Sequence, residues 1–322
     1  MDIFLPIEWF AKWVVGFLPV NALLADAIEF FIYDSVKILA LLYVMIGVIG
    51  FLRSYIDNVK LKAWMSGQNK LVSHTVAAVF GAVTPFCSCS SIPIFLGMVK
   101  AQFPIGAAFT FMVTSPLINE YLVVLMLGFF GWKITVFYVL SGLIIGIISG
   151  LFIGTLNPEE LIEPGYTEAS ELDEGHAFTT LKQRVQFGLT EAWETLVYIW
   201  LWVLVGVGFG AIIHNYVPQE FIQGLVGRMG WFSVPVATML GVPMYGSCAS
   251  IVPVAVVLFQ KGLPLGTAIA FMMGVAALSL PEAIILKRVM KTKLIAIFFS
   301  IVSVGIIIAG YLLNWLQPIM GA

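Results

Sequence analysis

The stretch GAVTPFCSCSSIPIF, residues 81–95, places two prolines, two cysteines and three serines in an otherwise apolar part of the chain. Proline lacks the backbone N–H donor and disfavours helical geometry in the residue before it. We therefore expect Pro85 and Pro93 to break a helix here. The hydroxyl groups of Ser88 and Ser90 can satisfy backbone groups that a broken helix leaves free, and they are predicted to contact a bound substrate.

The composition predicts an all-α integral membrane protein. Hydrophobic residues make up 60% of the chain and charged residues 11%, with a mean hydropathy of +1.01, whereas soluble domains carry about 25% charged residues. The net charge of -2 and the scattered basic residues argue against nucleic acid as a partner. The lipid bilayer is the expected surrounding, and the cytoplasmic membrane of a prokaryote is the expected location of this multi-pass chain.

About eight transmembrane helices are expected, because a spanning helix needs roughly 20 mostly apolar residues. Eight stretches reach that length, four of them interrupted: residues 28–52, 72–100, 104–130, 134–156, 187–214, 232–259, 263–286 and 294–316. Residues 1–27 contain Trp9 and Trp13 and are expected to form an interfacial helix or an additional membrane helix. Residues 317–322 form a short C-terminal tail.

The two halves of the chain resemble each other across a polar linker. We assign one four-helix repeat to residues 28–156, an acidic linker to 157–186 and a second four-helix repeat to 187–316. The motif SCSSIP recurs as SCASIVP, and PIGAAFTFM recurs as PLGTAIAFM, with nearly the same spacing between the two copies of each motif. A constant offset over several polar and glycine positions predicts an internal repeat with broken helices at its centre.

The distribution of Lys and Arg over eight spans predicts an orientation. Lys70 and Lys133 fall on the more basic side, which should be cytoplasmic, and Lys100 and Lys261 fall on the other side. Both termini and the acidic linker are then expected outside. Four spans per half would make the repeats parallel, but a broken segment that turns back without crossing would make them inverted.

Matching interruptions in two halves of a chain are typical of the central site of a transporter. In the second half, Gly246 and Pro253 correspond to the first motif, and the spans that follow the two motifs are interrupted at Pro116 and Pro281. Irregular backbone at membrane depth persists only where protein or a water-filled cavity surrounds it. Four breaks in matched positions therefore favour a binding site over ordinary packing kinks.

Every cysteine of the chain lies in one of these motifs. Cys87 and Cys89 belong to the first, and Cys248 follows Ser247 in the second. Residues two apart in an extended stretch point to the same side, so Cys87 and Cys89 can present two sulfurs to one cavity. Soft thiolates select Cu(I), Zn and, by the same logic, trivalent arsenic. The three cysteines are the predicted ligands of a metal or metalloid substrate, with Ser247 as a neighbouring contact, unless they act as small hydrophobes.

Ionisable residues within membrane spans are functional candidates. Glu120 and Glu282 follow the breaks in the third and seventh spans, so they are candidates for coupling transport to an ion. They could equally be carboxylates at helix ends, in water or capping exposed amides. Asn119 is a candidate neutral substrate ligand. His74 is expected at the cytoplasmic face rather than in a ligand site.

The motif TPFCSCS (84–90), together with GSCAS (246–250), the two four-helix halves and the polar linker, resembles the ArsP-type predicted permease family. The resemblance covers essentially the whole chain and implies an eight-helix inner-membrane permease. The best-known members export trivalent organoarsenicals such as methylarsenite. The resemblance therefore also implies that Cys87, Cys89 and Cys248 bind the substrate.

We predict a membrane permease, secondary-active, that exports a small thiophilic metal or metalloid species. Two alternatives remain: a transmembrane thiol–disulfide electron carrier using Cys89 and Cys248, and a permease or channel for a small organic or sulfur-containing solute. No enzyme is expected, because the chain has no GxxxxGK[ST] loop, HExxH helix or GxSxG elbow. No cofactor is predicted, and the expected partners are the small substrate, lipid and a homo-oligomer.

Overall fold

The computed structural model describes residues 5–17, 21–54, 69–84, 88–100, 103–156, 158–162, 180–216, 229–244, 248–260, 262–287 and 289–320. In these ranges the chain forms twelve α-helices and no strand. Within the described ranges, four segments are long and apolar enough to cross a membrane: Leu24–Val48, Leu122–Gly154, Leu265–Leu286 and Thr292–Pro318. The predicted all-α membrane class is confirmed, because only a helix satisfies every backbone group of a lone apolar segment in lipid.

The helices follow the same order in both halves of the chain. The first half contains α1 (Leu5–Val15), α2 (Ala22–Arg53), α3 (Lys70–Val83), α4 (Ser88–Lys100), α5 (Ile105–Leu117) and α6 (Glu120–Gly154). The second half contains α7 (Leu181–Tyr216), α8 (Ser233–Gly241), α9 (Cys248–Gln260), α10 (Leu265–Ala277), α11 (Leu280–Leu286) and α12 (Thr292–Met320). Helices α4 and α9 have the same length, as do α5 and α10, and both pairs begin at the same spacing along the chain.

Helices α3 and α4 form a hairpin instead of one continuous span. Helix α3 runs parallel to α5, because a Cβ added at Gly106 would lie 2.8 Å from His74 Nε2 and one added at Gly81 would lie 3.1 Å from Phe111 O. Helix α4 runs antiparallel to α5, since Phe103 N–H donates to Met98 O at 3.0 Å across the turn. The span predicted over residues 72–100 therefore doubles back.

The second half repeats this arrangement. Helix α8 runs parallel to α10, because Ser233 Oγ and Thr267 Oγ1 lie 3.1 Å apart at their starts and a Cβ added at Gly241 would lie 2.9 Å from Val275 N. The turn between α9 and α10 closes with a 3.2 Å hydrogen bond from Leu263 N–H to Leu258 O, so α9 is antiparallel to α10. Residues 232–259 also double back.

Helix α6 bends at Gly131, whose φ of 80° and ψ of 172° are not helical. Beyond the bend, α6 runs back antiparallel to α5, because an added Cβ at Gly142 would lie 2.7 Å from Ile118 Cγ1 and one at Gly154 would lie 3.3 Å from Gly106 Cα. The bend falls in the gap predicted between residues 130 and 134. The first part of α6, from Glu120 to the bend, therefore extends about 15 Å beyond the break before the chain turns back.

Helices with corresponding positions in the two halves run in opposite directions. Helix α12 begins where α6 ends, because Lys291 N–H donates to Leu161 O at 2.8 Å. Helix α7 is antiparallel to α2, since Arg184 donates to Ser54 O at one end and an added Cβ at Gly208 would lie 3.5 Å from the Phe31 ring at the other. We call the end where α3 and α5 begin face 1, and the end where α8 and α10 begin face 2.

The break between α5 and α6 is stabilised by a buried tyrosine. The Tyr138 hydroxyl donates to Leu117 O, a carbonyl near the end of α5 that has no helical donor beyond the break. Tyr138 is fully buried; at the corresponding position of the second half stands Phe298, which is also buried but has no hydroxyl. The Tyr138 hydroxyl is therefore a donor to the first break that Phe298 cannot supply at the second.

We expect Tyr138→Phe to lower the free energy of unfolding by about 1–3 kcal/mol, because it leaves a buried carbonyl without its donor. Reversible unfolding in detergent measures the change. Tyr311→Phe is the control: its hydroxyl donates to Trp231 O at 2.7 Å at an exposed position, where water replaces the lost bond. An equal effect of the two substitutions would contradict the structural role of Tyr138.

Candidate substrate site

Two hairpin turns and two helix breaks form the candidate site. The turns lie between α3 and α4 and between α8 and α9, and the breaks lie at residues 118–119 and 278–279. Each hairpin reaches the other half, because α9 packs against α6 and α4 contacts α11. The Phe130 and Phe259 rings lie 5.9 Å apart at the contact of α6 with α9. Helices that flank the interruptions of one half therefore contact helices that flank those of the other half.

The two hairpins carry the cysteine motifs. Cys89 lies in the first turn of α4 and Cys248 is the first residue of α9, so both stand where a returning helix begins. Ser88 opens α4 and Ser90 lies in its first turn. Cys87, Pro85, Gly246 and Ser247 lie outside the described residues. Binding of a metal or metalloid by the three sulfurs stays a prediction.

The prolines relate to the breaks in two ways. Pro93 and Pro253 lie inside α4 and α9, which continue past them, so the interruptions expected at these residues do not occur there. Pro116 lies in the last turn of α5, and Pro281 lies in the first turn of α11. Both therefore flank a break. Proline is tolerated in a first helical turn because the missing N–H has no partner there.

Two buried polar residues stand at the breaks. Asn119 is 7% exposed, and its carbonyl accepts the Val123 N–H at 3.0 Å, so it begins α6. Ser279 is 5% exposed, and its carbonyl accepts the Ala283 N–H at 3.1 Å, so it begins α11 in the same way. Asn119 was a predicted ligand, and Ser279 was missed. The signal was its place in the repeat, where it is the counterpart of Asn119.

A backbone hydrogen bond joins the break in the second half to the hairpin turn that precedes Cys248. Leu280 N–H donates to Val242 O at 2.9 Å. Val242 follows α8 directly, and Met244 N–H donates to Gly241 O at 3.0 Å in the same turn. This hydrogen bond joins the start of α11 directly to the backbone of the turn.

The two candidate carboxylates occupy different positions in the two halves. Glu282 is 1% exposed and lies in the first turn of α11. Glu120 opens α6, so its counterpart in the second repeat is Leu280, and the counterpart of Glu282 is the fully buried Leu122. Glu282 is therefore a carboxyl group without a repeat partner. Among the described residues, no group of three or more His, Cys, Asp or Glu could hold a metal ion.

His74 is buried rather than placed at an open surface. It is 5% exposed, and its Nδ1 lies 2.6 Å from Lys70 O in the preceding turn of α3. Its Nε2 faces the start of α5 at Gly106. His74 thus lies near face 1 but packs inside the protein, and its expected position at the cytoplasmic face stays a prediction.

A polar cluster at face 2 was also missed by sequence reasoning. Asn314 Oδ1 accepts the Gly266 N–H at 2.7 Å, and Gln317 Oε1 accepts the Leu265 N–H at 3.2 Å. Asn314 Nδ2 also lies 3.4 Å from Thr267 Oγ1. These contacts satisfy backbone donors at the start of α10, which have no helical partner. The available signal was the pair of amide side chains in an apolar span.

Comparisons with known proteins agree with the resemblance drawn from the motifs. The ArsP_1 family model, described as a predicted permease, matches residues 23–315. UPF0718 protein MJ0584 of Methanocaldococcus jannaschii is 21% identical over 91% of this chain and 95% of its own. UPF0718 protein YcgR of Bacillus subtilis is 24% identical over 88% and 95%, and UPF0718 protein YraQ of Escherichia coli is 24% identical over 76% and 68%. No solved structure matches the chain.

Proposed function

Because the chain belongs to the ArsP-type predicted permease family, we propose that it is a secondary-active permease whose two inverted halves give alternating access to a central site. The observation that carries this proposal is the set of four interruptions, two per half, flanked by helices that contact the other half. Broken helices at matched positions of inverted repeats form the substrate sites of several transporter folds. A permease of the cell membrane moves its substrate without a chemical reaction, so we propose no catalytic residue.

Six crossings and two re-entrant hairpins describe the membrane topology that we propose. The crossings are α2, α5 with the first part of α6, the second part of α6, α7, α10 with α11, and α12. The hairpins α3–α4 and α8–α9 enter from faces 1 and 2 and return to the same faces. An odd number of crossings in each half inverts the second repeat relative to the first. We propose this topology in place of the expected eight crossings, and of the two repeat orientations left open by the sequence it takes the inverted one.

The basic residues support one orientation of this topology. Face 1 or its adjoining loops hold eleven Lys and Arg residues: Arg53, Lys60, Lys62, Lys70, Lys100, Lys182, Arg184, Lys287, Arg288, Lys291 and Lys293. Face 2 holds four: Lys12, Lys133, Arg228 and Lys261. By the positive-inside rule, face 1 is cytoplasmic. Both termini then lie outside, and the acidic linker lies in the cytoplasm, opposite to the side expected for it from eight spans.

A thiophilic metal or metalloid species, such as a trivalent organoarsenical, is the proposed cargo. The support is chemical: all three cysteines of the chain belong to the two motifs, and Cys89 and Cys248 lie where the returning helices α4 and α9 begin. Two or three thiolates suit a linear or trigonal soft centre. Ser88, Ser90, Ser247 and Asn119 are the proposed polar contacts around it.

We expect Cys87→Ser/Cys89→Ser to reduce cargo accumulation at least tenfold, because serine oxygen is a hard ligand with little affinity for a soft centre. Proteoliposomes exposed to methylarsenite, arsenite, Cu(I) or Zn(II) are analysed for the element retained. Cys248→Ser tests the third sulfur separately. Equal thermal unfolding of each variant and the unsubstituted protein shows that the fold is intact.

Each outcome of this experiment favours one function. Cysteine-dependent accumulation of one species identifies the cargo. Accumulation that survives loss of both cysteines would contradict the thiolate site and favour a small organic or sulfur-containing solute. Absence of transport together with redox-dependent cross-linking of Cys89 to Cys248 would favour the electron carrier, because that reaction requires the two sulfurs within bonding distance.

A further inference from the structure

We propose that Glu282 is a proton-binding group of this permease, a carboxyl at which proton exchange is coupled to movement of the cargo. The inference rests on the proposed permease function and deepens it. It begins from an unexplained buried group: the Glu282 side chain is 1% exposed, and neither carboxyl oxygen has a hydrogen-bond partner among the described residues.

A bare carboxylate in such a position is strongly unfavourable, since burial removes its hydration without supplying a compensating charge. Residues of this kind in membrane spans mark ion pathways and proton relays. A proton needs only the carboxyl itself, whereas a divalent cation needs several ligands. The described residues contain no cluster of three or more ionisable ligands. The chemistry of the site therefore favours a proton.

The surroundings of Glu282 offer no neutralising base among the described residues. Helices α7 and α4 pack against α11. The ionisable residues that these two helices carry are Lys182, Arg184, Glu191, Glu194, Tyr198, His214 and Tyr216 on α7, and Cys89 and Lys100 on α4. Lys182 is exposed, and Arg184 donates to Ser54 O near face 1. Glu282 thus has no ion-pair partner in the part of the chain that the structure describes.

The position of Glu282 links its charge to the cargo site. It lies two residues after Leu280, whose N–H is bonded to Val242 O in the turn that leads to Cys248. Loss of the proton creates a charge that requires water, so α11 must open toward one side of the membrane. That movement pulls on the turn through the hydrogen bond. Proton uptake restores a neutral side chain and allows the occluded packing to close again.

The repeat provides a further reason to assign the proton to Glu282. The corresponding residue in the first half is Leu122, which is fully buried against the core. The same position therefore accepts an apolar side chain when no ion has to be carried. At this position only the second half has a titratable group. The proposed coupling site therefore occurs once, although the helices follow the same order in both halves.

Infrared difference spectra of the full-length protein in lipid nanodiscs test the site without reference to any cargo. We expect a protonated carboxylic-acid band whose intensity changes with pH and which disappears in Glu282→Gln. The matched control is Glu194→Gln, which removes an exposed carboxylate from α7 and should leave the band unchanged. A band that persists in Glu282→Gln, or no such band at all, would overturn the proposal.

Proteoliposomes containing a pH-sensitive dye test the coupling, with methylarsenite as the probe. A methylarsenite gradient should drive proton flux in the unsubstituted protein. Glu282→Gln should lose at least 90% of this flux while retaining exchange of labelled for unlabelled methylarsenite. Glu282→Asp should restore part of it. Proton flux undiminished in Glu282→Gln, or transport that follows a sodium gradient instead, would overturn the coupling. Failure of methylarsenite to move at all would count against the cargo, and the infrared band would still decide the proton site.

Discussion

Cysteines introduced at Lys70 and Lys100 are expected to react with a membrane-impermeant maleimide from the same side of the membrane, and cysteines at Lys133 and Gln260 from the opposite side. Lys70 begins α3 and Lys100 ends α4, so the hairpin returns both to face 1. Lys133 follows the bend of α6 and Gln260 ends α9, which places both at face 2. Each position should be labelled in only one of two preparations, right-side-out vesicles or inverted vesicles.

The eight-span topology predicts a different result: positions 70 and 133 share one side of the membrane, and positions 100 and 260 share the other. The pairing is independent of which side is cytoplasmic, so it separates the two topologies even if the charge rule fails. The orientation is read from the vesicles: positions 70 and 100 should label only in inverted ones, because face 1 carries the larger number of basic residues. The unsubstituted protein, with its three native cysteines, is the labelling control.

Gly266→Leu is expected to prevent stable folding. An added Cβ at this position would overlap Gly310 O and would lie 2.7 Å from Asn314 Oδ1 and 2.9 Å from Asn314 N. Overpacking a close helix contact costs about 1–3 kcal/mol or more, and backbone atoms cannot move aside as a flexible side chain can. The substitution also displaces the amide that caps α10. The folded fraction recovered from membranes, measured by size-exclusion chromatography, should fall at least fivefold.

Gly128→Leu is the matched control, because a Cβ added at Gly128 meets no atom within 4 Å. It lies in the first part of α6 and is exposed, so an added leucine should change the free energy of unfolding by less than about 0.5 kcal/mol. Comparable losses in both variants would show that glycine is needed for helix insertion in general. A loss confined to Gly266→Leu supports the close packing of α10 against α12.

Several features of the fold could be predicted from the residues alone. Apolar length and the scarcity of charge predicted membrane helices, and the constant spacing of the repeated motifs placed α4 and α9, and α5 and α10, in matching positions. The interruption after Pro116 and the one before Pro281 occur where the sequence indicated them. The helix break predicted at Pro93 is not observed, because α4 continues past this residue. A proline near the start of a helix removes one hydrogen bond without ending the helix there.

The candidate site could be predicted only in part, because burial and pairing depend on neighbours from distant segments. Glu120 and Glu282 look equivalent in the sequence, since each follows a break. In the structure Glu282 corresponds to Leu122 and is a buried carboxyl without a partner among the described residues. Ser279 and Asn314 carried no motif. They were found because the chain brings them to a break and to a helix start.

The sequence by itself determined the class of protein, the matched positions of the interruptions and the gathering of all cysteines into two motifs. These are local properties, set by apolar length, proline geometry and thiol chemistry. The tertiary structure alone decided whether a broken segment crosses or turns back. Both outcomes use the same two half-length helices, and the difference depends on the direction in which the second of them runs along α5 or α10. In the topology that we propose, that choice gives six crossings instead of eight and sets the two halves in opposite directions.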